Sequence, residues 1–353
     1  MKTIFIGMTI NDGSVTEFFL NLANRLSKKY QVVIIADKIE TQPVAVNPSI
    51  RVFQWPSERP TKFRDFIFLA KLIKKYRPIL MLSMFSSVNI FLVAGFIFRI
   101  KHRIAWARTI SSAFSLKSSL AKRKSLVYKL ASRIFANSVS TKNDLIETFN
   151  VPSNKITVIS NAVRKPEFQT SVDDNLITFV GRMHPSKGID TLLKAMPKVV
   201  SKFPKIRLQI IGGGDQQPFV ELAEKLQVSN NVVFRGRQTK DVLLRELSRS
   251  YFSLVPSVVE AFGFVIIESF SVCTPVIGSN SSGIAEVVRH GQDGFLFETG
   301  NSDDLAEKML HLLADKELRD KFGQNCHRRF AEEYEIDNVA EVVSKKISLL
   351  INA

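Results

Sequence analysis

Two cysteines in 353 residues, Cys273 and Cys326, are too few for a disulfide framework and fit the cytoplasm. Histidine is scarce too: the five in the chain form no ligand-spaced cluster, and no Asp-x-Asp stands at the end of a strand-like run. No metal and no other cofactor is therefore expected. Acidic residues are few in the first half. Through Lys165 there are 8 Asp and Glu against 27 Lys and Arg, net +19, whereas the remainder has 25 against 22, net −3. The overall charge of +16 thus belongs to the first half alone. Such a field attracts nucleic acid or an anionic membrane surface. No short repeat or low-complexity tract occurs, and the opening MKTIFIGM is strand-like, without the regions of a signal peptide. What is present is a globular composition, 45% hydrophobic and 23% charged, in a chain long enough for two domains with a core each.

One charge-free stretch, PILMLSMFSSVNIFLVAGFIF at 78–98, has the length of a membrane span of about 20 residues. Ser83, Ser86, Ser87 and Asn89 divide it, so a buried strand followed by a buried helix is the expectation.

The first half starts strand–loop–helix, with TIFIGM, TINDGS and VTEFFLNLANRLSKKY, and Phe18, Leu20, Leu22 and Leu26 suit an amphipathic helix. VVIIA (32–36), LMLSMF, RIAWA, RIFANS and ITVIS are further strand candidates separated by helical stretches. The pattern restarts with LITFVGRM (176–183), LQIIGGG (208–214), VVFRGR (232–237), FSLVPS (252–257), PVIGS (275–279) and GFLFE (294–298). Alternation of this kind predicts an α/β protein with two doubly wound, Rossmann-like sheets, each binding ligand at the carboxyl ends of its strands. NAVRKPEFQTSVDDN reads as the linker, which places one domain at 1–165 and the second at 166–336, with the final helix, 337–353, crossing back to the first.

The segment EAFGFVIIE brackets an apolar run with Glu260 and Glu268. Eight helical steps at about 1.5 Å each separate the two by roughly 12 Å, more than the 5–9.5 Å, roughly, of a glycosidase carboxylate pair. Two carboxylates so spaced suit the two ends of one elongated ligand. GRMHPSKG adds cations in a loop, with Arg182 after a strand end and Lys187 before Gly188 and a helix.

These pieces are collinear with SRIFANSVSTKNDLIETFNVPSNKITVISNAV (132–163), FVGRMHPSKGIDTLLKA (179–195) and EAFGFVIIESFSVCTPVIGSNSSGIAEVVRHGQDGFLF (260–297). Together they resemble the family-four retaining glycosyltransferases of the GT-B fold, in which two Rossmann-like domains face across a cleft. The resemblance implies transfer of a hexose-type sugar from a nucleotide-diphosphate sugar, UDP favoured over GDP, to a lipid-linked or oligosaccharide acceptor in cell-surface polysaccharide or lipopolysaccharide synthesis. It implies catalytic roles for Arg182, Lys187 and Glu260, the last at the sugar hydroxyls, and places Glu268 at the ribose. Gly263, Phe264 and Val265, opening a helix, would face the diphosphate with their amides. Arg237 falls where relatives hold the base.

Two places depart from the family pattern. Gly13 is followed by Ser14 where a second glycine is common, so both are carried as donor-binding candidates. Arg108, in WARTISS, stands near where many relatives have an acceptor-side histidine; an arginine cannot act as a base near neutral pH. It would orient the acceptor or stabilise phosphate charge. The stretch KSSLAKRKSLVYKLASR (117–133) reads as a basic amphipathic helix, with Lys122, Arg123 and Lys124 as membrane-facing cations. The expectation is a peripheral enzyme on the inner face of the cytoplasmic membrane that does not bind nucleic acid. The competing reading, motivated by the +19 half, is a noncatalytic nucleic-acid or anionic-lipid binder on the same fold.

Overall fold

The computed structural model describes residues 1–39, 45–60, 62–111, 118–168 and 170–352. Lys117 of the basic stretch, Ser112 of WARTISS, Gln169 of the linker and Ala353 of the last helix lie outside these. The chain forms two compact units: Met1–Ala162 together with the stretch from Ile336 onward, and Val163–Glu335.

The N-terminal unit runs β1 (Thr3–Ile10), α1 (Ser14–Ser27), β2 (Gln31–Ile39), β3 (Arg51–Gln54), α2 (Phe63–Tyr76), β4 (Leu80–Met84), α3 (Val88–Ile97), β5 (His102–Ala107), α4 (Ser118–Lys129), β6 (Arg133–Ala136), α5 (Val139–Glu147) and β7 (Ile156–Val158). Its seven strands, all parallel, lie in the order β3-β2-β1-β4-β5-β6-β7. A parallel strand covered on both faces reads as a continuous apolar run, and β1 and β4 do so. On one face Phe18, Phe19, Leu22, Ala23 and Leu26 of α1 form a buried stripe at helical spacing. Trp106 meets the rings of Phe19 and Phe135 edge-on at 4.8 and 5.2 Å.

The segment at 78–98 is a five-residue strand and a ten-residue helix. Among the described residues no helix is long and apolar enough to cross a membrane. A Cβ on Gly7 would lie 2.8 Å from the Phe91 ring, so glycine lets α3 approach β1 closely. The strand β3 was not anticipated: RVFQ is exposed at both ends and pairs only with β2 at the sheet edge, so it lacks an apolar run.

The second unit contains β8 (Asp173–Val180), α6 (Ile189–Lys202), β9 (Arg207–Ile211), α7 (Gln217–Lys225), β10 (Val232–Gly236), α8 (Lys240–Arg249), β11 (Ser250–Val255), α9 (Phe264–Ser271), β12 (Val276–Ser279), α10 (Ser282–Val287), β13 (Gly294–Phe297), α11 (Ser302–Ala314) and α12 (Lys316–Arg329). Its six strands are parallel in the order β10-β9-β8-β11-β12-β13. The last helix, α13 (Ile336–Asn352), belongs to the N-terminal unit, where Ile336, Val339, Ala340, Val343, Ile347 and Ile351 join the core beneath α1. Arg25 of α1 bonds Asp337 at 2.6 Å and Glu341 at 3.0 Å, fixing that helix pair.

Candidate active site

In the second unit, strand order brings two loops together. β8 and β11 are neighbours, so the segment after β8 (181–188) and the segment after β11 (256–263) emerge side by side at the carboxyl edge of the sheet. Val258 N donates to Ser186 O at 2.9 Å across them. Gly188, at φ +68°, caps the turn before α6; a Cβ there would lie 2.0 Å from the Pro256 carbonyl oxygen. Only glycine supplies both the left-handed backbone and that clearance.

On this scaffold Lys187 Nζ and the Glu260 carboxylate form a half-buried salt bridge, with side-chain exposures of 19% and 23%. The Glu260 backbone is clamped by the start of α10: Gly283 N donates to Glu260 O at 2.9 Å, as does Ser282 Oγ, which also accepts from Glu260 N at 3.2 Å. Three residues on, Gly263 takes φ +88° and turns the chain into α9. A helix's first amides lack an intrahelical acceptor and suit an anionic group; Phe264 and Val265 occupy those positions, half-buried. Glu268 follows one turn later on α9 and is buried. Arg182 is exposed at the end of β8, and Arg237 is exposed just past β10. The structure therefore gathers Lys187, Glu260 and the α9 start into one locus, with Arg182 on the same loop as Lys187.

The other predicted residues lie in the N-terminal unit. Gly13 precedes α1 with φ −83°, in a loop tied by Asn11: Gly13 N and Thr16 Oγ1 both donate to Asn11 Oδ1 at 2.9 Å. Ser14 is the first residue of α1. Arg108, just past β5, is buried, hydrogen-bonds to Asn161 Oδ1 and stacks 5.6 Å over the Phe19 ring. Burial pushes its guanidinium down to about 9, which leaves it charged at neutral pH.

Arg108 also lines a cavity of about 1000 Å³ at the carboxyl ends of β1, β2, β4 and β5, with Asp37, Glu58, Ser86, Lys124 and Tyr128. Lys124 is here a correction to the sequence reading. It does not share the outward face of α4 with the exposed Lys122 and Arg123; it turns inward, 5.4 Å over the Phe149 ring. Burial depresses its ammonium, opposed by Asp144, while burial and Asp144 push the neighbouring Tyr128 hydroxyl up to about 12.

The residues anticipated as the apolar side of α4 are partly outside: Leu120 is 42% exposed and Leu126 62%. Helices α2, α3 and α4 cover the sheet face opposite α1. On α2 and α3 Phe63, Ile67, Phe96 and Ile97 are likewise exposed, among exposed Lys71, Lys74, Arg99 and Lys101. Among the described residues no group of His, Cys, Asp and Glu could hold a metal ion.

Two family models match consecutive parts of the chain: Glycosyltransferase Family 4 over residues 15–165 and Glycosyl transferases group 1 over residues 162–329. The chain belongs to the family-four glycosyltransferases, in the GT-B fold. Within the family it is 33% identical over 220 residues to an uncharacterized glycosyltransferase of Methanocaldococcus jannaschii, covering 61% of this chain and 60% of that one. It is 29% identical to the capsular polysaccharide biosynthesis glycosyltransferase CapM of Staphylococcus aureus, covering 58% of each. The chain thus spans somewhat under two thirds of these relatives' length. The family fold extends over the whole chain: Anabaena HepE in complex with UDP superposes with a TM-score of 0.81 at 18% identity, covering 99% of this chain and 100% of that one. WaaG, a glycosyltransferase involved in lipopolysaccharide biosynthesis, gives 0.73 at 15% identity, covering 98% and 99%.

Sequence reading missed Asp37, Glu58 and Tyr128 of the cavity. Asp37 directly follows the strand-like run VVIIA and Tyr128 lies on the inward stripe of α4, whereas Glu58 follows β3, which carried no signal.

Proposed function

We propose that the protein is a retaining glycosyltransferase that moves a hexose-type sugar from a nucleotide-diphosphate sugar to a lipid-linked or saccharide acceptor in cell-surface polysaccharide synthesis, without a metal. The observation that carries the reading is the Lys187–Glu260 pair held beside the start of α9. Val163–Glu335 takes the donor and the N-terminal unit takes the acceptor. UDP is favoured as the nucleotide, since HepE has been crystallised with UDP and with UDP-glucose; CapM and WaaG support a cell-surface product.

The diphosphate lies at the first turn of α9, Glu268 accepts from the ribose hydroxyls and Glu260 from the sugar hydroxyls. As the glycosidic bond breaks, negative charge builds on the leaving oxygen, where Lys187 and Arg182 stabilise it more than in the ground state. That oxygen takes the acceptor's proton on the same face, so no separate base is required and Arg108 serves to orient the acceptor. The test is proton NMR of the first product formed, in chelator. An α-linkage from an α-donor is expected; a β-linkage, or activity that returns only with magnesium or manganese, overturns the reading.

Glu268→Ala is expected to weaken nucleoside diphosphate binding by about tenfold or more, the size of a lost charged hydrogen bond, with a smaller effect on turnover. Calorimetric titration with UDP checks it, and unchanged affinity removes the ribose role.

We also propose peripheral attachment to the cytoplasmic leaflet through the outward sides of α2, α3 and α4, whose exposed apolar residues and cations complement an anionic surface. Vesicle co-sedimentation should require anionic lipid, weaken with salt and drop for Lys122→Ser with Arg123→Ser. Equal binding to neutral vesicles counts against this attachment. A second reading, binding of anionic lipid without catalysis, draws on the +19 half alone. Slow hydrolysis of UDP-glucose by the purified protein would exclude it.

A further inference from the structure

The N-terminal cavity has its carboxylates at one end only. At β2, Asp37 Oδ2 accepts from Ser86 Oγ at 2.6 Å, and its buried Oδ1 has no hydrogen-bond partner among the described residues. Glu58 and Arg59 line the same end. Across β2-β1-β4-β5, three strand spacings or roughly 14 Å on, the wall is formed by Arg108 and Lys124, from opposite faces of β5.

Lys124 makes no ion pair or hydrogen bond among the described residues. The acid that influences it, Asp144, is engaged elsewhere, accepting from Ser111 N and from Thr148 Oγ1, both at 3.0 Å. An ammonium drawn into a cavity without a carboxylate of its own carries a desolvation cost that an entering anion offsets. Two cations with no carboxylate beside them in the wall suit a group with several charged oxygens, and the unpartnered Asp37 oxygen at the far end suits a hydroxyl.

Resting on the assignment of this unit to the acceptor, we propose that the acceptor carries a phosphoryl group, held against Lys124 with Arg108, and that Asp37 accepts from its sugar or polyol hydroxyls. Lys124 then selects the acceptor, whereas Lys122 and Arg123 face outward. The phosphoryl group could come from a lipid diphosphate or from a soluble sugar phosphate; both put the same oxygens on the same cations.

The experiment is sparse acetylation of the full chain by acetic anhydride at pH 8, with each lysine quantified by peptide mass spectrometry. A depressed, cavity-lining amine should be modified readily. Farnesyl diphosphate or glucose 1-phosphate, at ten times its dissociation constant, should slow Lys124 about tenfold and leave Lys122 unchanged. Protection by farnesyl diphosphate at the lower concentration assigns the lipid-linked source, and by glucose 1-phosphate the soluble one. No acetylation of Lys124 in the free protein, no protection by either probe, or equal protection of Lys122 overturns the proposal. The readout involves neither donor nor transfer, so a failure of glycosyl transfer would be seen separately.

Discussion

Lys187→Ala is expected to lower turnover by about 10²–10³-fold, the scale measured for loss of one preorganised charge stabiliser, while the donor's dissociation constant changes far less. The size of the effect follows from when the charge appears. In the proposed site a diphosphate ester in the ground state would already have α9's first amides to face, whereas the charge on the departing oxygen would develop only as the glycosidic bond opens. An ammonium held in place by Glu260 meets that charge without reorganising. Its position is imposed by the backbone: Gly188 seats the turn against Pro256, and the Val258–Ser186 hydrogen bond joins the two loops. Steady-state kinetics with a UDP-sugar, alongside UDP titration, separates kcat from binding. Lys187→Arg should recover part of the loss. A variant with normal turnover and tenfold weaker donor binding would reduce Lys187 to a binding residue.

Most of the fold was legible because parallel strands covered on both faces must be apolar throughout; the six strand-like runs of the second half each overlap one of β8 to β13, with β8, β9 and β11 starting one to three residues earlier. The exception in the first half, β3, sits at the edge with one neighbour and exposed ends, so its four residues carry no burial signal. The Lys187 and Glu260 loops could be placed because both follow strong strands, and neighbouring strands bring such loops together. What the pattern could not supply was the facing of α4. Read for apolar residues alone, Leu120, Leu126, Val127 and Leu130 suggest the buried side. The inward stripe is Ala121, Lys124, Ser125 and Tyr128, at i, i+3, i+4 and i+7, and a lysine lies within it because a cavity, not the core, is there. Helical periodicity identifies a stripe but not whether the space facing it is filled. Nor does sequence separation betray Asp37, which joins Lys124 in one cavity only through strand order.

The largest effect on stability is expected from Arg329→Met, about 3–5 kcal/mol, because it leaves a buried carboxylate without its cation. Arg329, on α12, pairs with Asp293 at 2.8 Å, with side-chain exposures of 7% and 2%. It also donates to the Val287 carbonyl at the end of α10 and to the Tyr334 hydroxyl at 2.9 Å. Asp293 Oδ1 accepts from Arg289 N at 2.8 Å. Burial raises the Asp293 carboxyl above its ordinary range even with the Arg289 amide and Arg329 opposing it. Removing Arg329 should raise it further. A carboxyl whose folded value lies above its unfolded one binds more protons when folded, so its contribution to stability falls as pH rises. The variant's deficit is therefore expected to be greatest near pH 8 and to shrink toward pH 4, where the unfolded carboxyl also takes up its proton. Adding Asp293→Asn, which removes the charge but keeps an oxygen for the Arg289 amide, should recover much of the loss at pH 8 and flatten the pH dependence. Urea unfolding of the single and double variants at both pH values measures this. A single variant that loses less than about 1 kcal/mol, the range of an exposed ion pair, would mean that the pair is solvated and that α10, with its clamp on Glu260, does not depend on it.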